Sequence, residues 1–113
     1  MSARLAASVL ATALMRRAEG EGGFAAVLAK GDATAGSILV ILTEKGANAR
    51  FLERVLQPDG AYSWQNVGGQ AGENPIEAEK FLARRKKIDP DIWLIELDIP
   101  SAEQFAAEMN ALN

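Results

Sequence analysis

The chain has 113 residues, 49% of them hydrophobic and 24% charged, with a formal net charge of -3. That length suits one domain with a single core, and the acidic balance argues against a general nucleic-acid binder. There is no Cys and no His, which excludes disulfides, thiol nucleophiles, Cys/His zinc sites and a histidine general base.

The first segment reads as a helix from about Ala3 to Glu19, with Ser2 as its cap and Gly20, Gly22 and Gly23 as its end. Arg4, Ser8, Thr12 and Arg16 form a polar stripe, opposite Leu5, Val9, Leu10, Ala13 and Leu14. That amphipathicity favours a structural helix over a signal-peptide core, which has no need of it. No stretch reaches the roughly 20 apolar residues that span a bilayer, so the expected location is cytoplasmic, away from membranes.

Four strands should follow: Phe24 to Lys30, Ala35 to Thr43, Asn48 to Leu56 and Ala61 to Val67. Turn signals separate them at Gly31-Asp32, at Lys45 to Asn48 and at Pro58-Asp59-Gly60. Short links of this kind join antiparallel neighbours, so a meander is expected. Ser37 to Leu42 has no polar break inside it, which calls for cover on both faces or a central place in the sheet.

Gly68 to Glu73 reads as a loop. Asn74, Pro75 and Glu77 then open a second helix with a cap residue, Pro at the first helical position and an acid in the first turn. It runs to about Lys87 and ends on Arg84, Arg85, Lys86 and Lys87, whose charge suits the helix dipole. Asp89-Pro90 stops it. A fifth strand covers Ile92 to Leu97, and its position in the sheet is open. Ser101 to Gln104 has capping-box spacing, and Phe105, Met109 and Leu112 recur as one face of a terminal helix. The expected fold is one α+β domain over residues 1–113, in the order α-β-β-β-β-α-β-α. Its five-stranded sheet is mostly antiparallel, with the helices packed on one face.

Three ordered stretches carry a family resemblance: Leu14 to Glu19; Gly23 to Asp32 with Ala35 to Val40; and Phe81 to Arg84 with Asp89 to Trp93. On these the chain resembles a bacterial family known only as domain of unknown function 1491. The resemblance implies a small cytoplasmic α+β protein and supplies no activity, cofactor or catalytic residue. The tail after Pro100 lies outside it.

The candidate chemistry is sparse. On a helical wheel Arg17 falls on the Leu10/Leu14 side, and Arg85 shares a side with Ala78, Phe81 and Leu82. Arg17, Lys30, Arg84 and Arg85 are therefore candidates for an anion or nucleotide site, with Asp32, Asp89 and Asp91 as carboxylate candidates. The competing reading is structural: arginine stems lie on the core, and their heads tie helix ends to acidic turns. Arg84 to Lys87 is a compact basic run, but acidity and few aromatics make nucleic acid an unfavoured partner. Gly68-Gly69-Gln70-Ala71-Gly72 lacks the Lys-Ser or Lys-Thr of a phosphate loop. Trp93 should pack in the core, whereas Trp64, between Ser63 and Gln65, is the interface candidate. No catalytic residue, metal site or cofactor is implied. The composition leans away from an enzyme and toward an interaction or assembly domain, of which a homodimer is one form, with small-anion binding as the alternative.

Overall fold

The computed structural model describes residues 6–111. In chain order they form α1 (Ala7–Gly20), β1 (Phe24–Ala29), β2 (Ile38–Glu44), β3 (Ala47–Leu56), β4 (Tyr62–Val67), a 3-10 turn (Ala71–Glu73), α2 (Pro75–Ile88), β5 (Trp93–Asp98) and α3 (Ala102–Ala111). The element order is the expected one, and the chain is an α+β domain around one five-stranded sheet.

The strands lie in the order β1-β5-β2-β3-β4. The meander holds from β2 to β4, where each strand pairs antiparallel with the next. It fails at β1. β5 inserts between β1 and β2, antiparallel to the first and parallel to the second, so the sheet is mixed. Burial explains the insertion. β2 and β5 are the two most continuously buried strands, and a strand covered on both faces is stable only in the middle of a sheet.

The helices occupy both faces, not the single face expected. On one face α1 and α3 cover Ile38, Val40, Leu42, Leu52, Trp93, Ile95 and Leu97, with Leu10, Leu14, Phe105 and Met109 between. On the other, α2 lays Ala78, Phe81 and Leu82 over Leu39, Ile41, Phe51 and Leu94. Phe51 and Phe81 meet with ring centroids 4.9 Å apart. The alternating residues of β2 thus feed two cores, as its unbroken apolar run requires.

The element ends follow local chemistry. The β2–β3 hairpin turns at Lys45 (φ 53°) and Gly46 (φ 77°), a two-residue link that needs both central residues left-handed. Asn74 caps α2 by accepting from the Ile76 and Glu77 N–H groups, and Pro75 sits at its start. α3 is capped twice: Ser101 Oγ accepts from the Gln104 N–H, and the Glu44 carboxylate, from β2, accepts from Ala102 at 2.6 Å. The expected start of α1 at Ala3 and its Ser2 cap fall outside the described residues, as does Leu112. Ala6 is extended, so α1 begins at Ala7. The Ala7 and Ser8 N–H groups donate to the carbonyls of Thr34 and Ala33, so this helix start is satisfied by the β1–β2 crossover. Its buried stripe is Ala7, Leu10, Ala11, Leu14 and Ala18, which leaves Val9 and Ala13 exposed.

Candidate functional site

The helix-end cations are dispersed. Arg17 donates from Nε and Nη2 to Glu108 Oε2 of α3 at 3.1 and 2.9 Å, and it lies 3.7 Å from Glu21. Its hydrogen bond holds the Glu108 carboxyl below its ordinary pKa, against a smaller opposing effect of desolvation. Arg85 forms an ion pair with Glu53 on β3, on the α2 side of the sheet. Arg17 and Arg85 therefore serve opposite faces. Lys30 and Arg84 are exposed and, among the described residues, make no ion pair. The four cations proposed from sequence do not share a cleft.

The three aspartates are partly brought together, by backbone chemistry. Asp32 Oδ2 accepts from the N–H groups of Thr34 and Ala35, and Asp89 Oδ1 accepts from that of Asp91. Each carboxylate thus closes its own turn. The Asp32 N–H donates to the Asp91 carbonyl at 3.0 Å, joining the two turns. Gly31 and Gly36 permit that approach, since a Cβ at either would overlap the Asp91 carbonyl. Among the described residues no group of three Asp or Glu side chains is placed to hold a metal ion.

Trp93 packs as expected, and its indole N–H donates to the Asp32 carbonyl at 2.8 Å. Trp64 does not protrude. It is 5% exposed within the α1/α3 core. Its polar neighbours Ser63 and Gln65 misled because alternation turns them to the other face. The Trp64 backbone N–H donates to Asn110 Oδ1 of α3 at 2.8 Å, so α3 covers both its indole face and this part of the β4 edge. Trp64 is a packing residue and not the exposed side chain that its polar neighbours suggested.

A cleft of about 460 Å³ opens where α1 starts, lined by Thr34, Ala35, Gly36, Ser37, Arg54 and Tyr62 among others. The Arg54 guanidinium stacks 4.0 Å from the centre of the Tyr62 ring.

The opposite end of the sheet is different. β1 is an edge strand whose outer side has no partner among the described residues. Its sequence, Phe24-Ala-Ala-Val-Leu-Ala29, carries no charge. Phe24 is 76% exposed, Leu28 50% and Val27 44%. The Val27/Ala29 register shift marks a bulge at Leu28. Sequence reasoning missed this surface because an uncharged strand reads the same at an edge and in a core.

A mixed five-stranded sheet sandwiched between helices, with one edge partly covered by α3 and the other open and apolar, defines a small α+β domain. The family model described as "Protein of unknown function (DUF1491)" matches residues 5–107, and the chain belongs to that family. The match runs beyond Pro100 and takes in much of α3. A crystal structure of a DUF1491 family protein from Caulobacter crescentus CB15 is 32% identical, with a TM-score of 0.79 over 90% of this chain and 94% of that one. An NMR structure of a DUF1491 family protein from the same organism is 31% identical, with a TM-score of 0.78 over 92% and 94%. The solution structure of protein Atu0922 from A. tumefaciens is 24% identical (TM-score 0.72 over 91% and 92%) and shares the fold. No curated protein matches the chain. Among the described residues no helix is long and apolar enough to cross a membrane.

Proposed function

We propose that this protein is a small cytoplasmic, non-catalytic interaction or assembly domain that engages its partner through the open edge of β1. The observation that carries this reading is the contrast between the two sheet edges. At β4 the outward Trp64 N–H is taken by Asn110. At β1 an uncharged strand offers unpaired backbone groups beside exposed Phe24, Val27 and Leu28. Soluble proteins usually guard such an edge with Lys or Pro, and β1 has only the bulge. Strand addition to a free edge is a common recognition mode, in which main-chain bonds supply affinity and alternate side chains supply specificity.

Small-anion binding is the weaker reading. Arg17 and Arg85 are already committed to Glu108 and Glu53. The cleft beside α1 presents Arg54 with the hydroxyls of Thr34 and Ser37, and Arg54 is stacked on Tyr62.

The test is affinity purification from the native host with the wild type and with Val27→Lys, followed by mass spectrometry. A protein captured by the first and lost with the second supports the edge. Identical capture by both sinks it.

A further inference from the structure

We infer that Asp59 is a site of spontaneous backbone isomerisation, and that the β3–β4 turn sets its rate by holding both reacting groups in other bonds. Of the Asp and Asn residues in the chain, only Asp59 is followed by glycine. The chemistry is internal to that pair. The Gly60 backbone nitrogen attacks Cγ of the Asp59 carboxyl group, a Cγ–O bond breaks, and the amide proton leaves with the departing oxygen as water. The product is a succinimide ring. Water then opens the ring at either carbonyl. Breaking the N–Cγ bond restores aspartate, whereas breaking the original peptide C–N bond leaves the chain running through Cγ as isoaspartate. Glycine on the far side favours the closure, because it has no Cβ to hinder the approach.

The fold gives the reaction room and withholds the geometry. Pro58, Asp59 and Gly60 are all exposed, and a Cβ built on Gly60 meets nothing within 4 Å, so no neighbour has to move to admit a ring. Both reacting groups are nevertheless engaged. The Gly60 N–H, the nucleophile, donates to the Gln57 carbonyl at 2.9 Å. The Asp59 Oδ1 accepts from the Ala61 N–H at 2.9 Å, one residue beyond the nitrogen it would have to meet. The Gln57 N–H closes the turn on the Ala61 carbonyl at 2.7 Å, with Gly60 left-handed at φ 87°. Ring closure therefore waits for a local opening of the turn, which at an exposed hairpin tip needs far less free energy than global unfolding. The product cannot return to the same turn. Isoaspartate lengthens the main chain by one carbon between Gln57 and Ala61, next to the Leu56–Tyr62 pair that begins the β3–β4 ladder. β4 is the strand that carries Trp64 into the core, so damage at the tip loosens a strand that the core depends on.

The test ages the full chain in warm neutral buffer, folded and in urea, and maps its peptides by mass spectrometry with electron-transfer fragmentation, which distinguishes aspartate from isoaspartate. Isoaspartate should accumulate at Asp59 in urea and form about tenfold or more slowly in the folded chain. Asp59→Glu should abolish the signal, because the larger ring closes far more slowly. Pro58→Gly frees the φ angle that proline fixes in the turn, and should speed the folded-state reaction about threefold or more with little change in urea. Amide exchange of the wild type reads the same turn without a substitution: the Gly60 and Ala61 N–H groups should be protected. A chain that forms no isoaspartate at Asp59 in urea overturns the site. Equal rates in the folded chain and in urea, Gly60 and Ala61 amides that exchange as fast as in urea, or a folded Pro58→Gly chain with the wild-type rate would each overturn the control by the turn.

Discussion

The indole N–H of Trp93 donates to the carbonyl oxygen of Asp32 at 2.8 Å, linking the first residue of β5 to the crossover between β1 and β2. This bond holds the crossover down over the inserted strand. Trp93→Phe should keep most of the packing and lose the donor. We expect a loss of about 1–3 kcal/mol, seen as a lower urea midpoint with an unchanged slope.

The same corner makes glycine substitutions unequal. Gly31→Ala and Gly36→Ala each drive a Cβ into the Asp91 carbonyl, while a Cβ at Gly20 meets nothing within 4 Å. The first two should cost about 1–3 kcal/mol or more, because backbone cannot move aside as a side chain does. Gly20→Ala should be neutral or raise stability by up to about 1 kcal/mol. Thermal melts of the three variants would decide it, and equal effects would contradict the close approach.

The Arg17–Glu108 contact gives a pH dependence of definite sign. The folded-state pKa of Glu108 lies below its ordinary value, chiefly through the hydrogen bond from Arg17. Its contribution is therefore complete above the unfolded-state pKa and is lost as pH falls through the folded one. Urea melts of wild type and Glu108→Gln should differ near neutral pH and converge in acid. A gap that widened in acid would reverse the assignment.

Arg85 and Glu53 should behave as a coupled pair. Both side chains are largely covered, at 24% and 19% exposure. Arg85→Ala leaves the Glu53 carboxylate unpaired beneath α2 and should cost about 1–3 kcal/mol. Adding Glu53→Gln should restore part of that loss. A double-mutant cycle measures the coupling, and strict additivity would mean that the contact is idle.

Asn110 guards the β4 edge through the Trp64 N–H. Asn110→Ala should cost about 1 kcal/mol and speed hydrogen exchange at the Trp64 amide specifically. Unchanged exchange there would show that this edge is closed by something other than the carboxamide.

Much of the secondary structure was legible because its signals are local. Asn74-Pro75 starts α2, Pro58-Asp59-Gly60 turns the β3–β4 hairpin, and Lys45-Gly46 turns the hairpin before it. The wheel for α2 also placed Arg85 beside Phe81 and Leu82, since helical period alone decides which residues share a side. The candidate site was less legible. Asp32, Asp89 and Asp91 attract notice as carboxylates, yet the first two close their own turns and Asp91 joins them through its backbone. Trp64 looked exposed because its neighbours are polar, and only the docking of α3 buries it.

The residues by themselves determined the element order, the capped and turned boundaries, the need of β2 for cover on both faces, and the absence of thiol and imidazole chemistry. Each of these depends on neighbours within a few positions, or on composition. Tertiary structure alone decided that β5 lies between β1 and β2, that α2 takes the face opposite α1 and α3, and that Arg17 answers Glu108 across 91 positions. It also left β1 at the rim with Phe24 uncovered. Pairings between distant strands and helices are chosen by the total apolar surface they bury, a property of the assembled chain that no single segment carries.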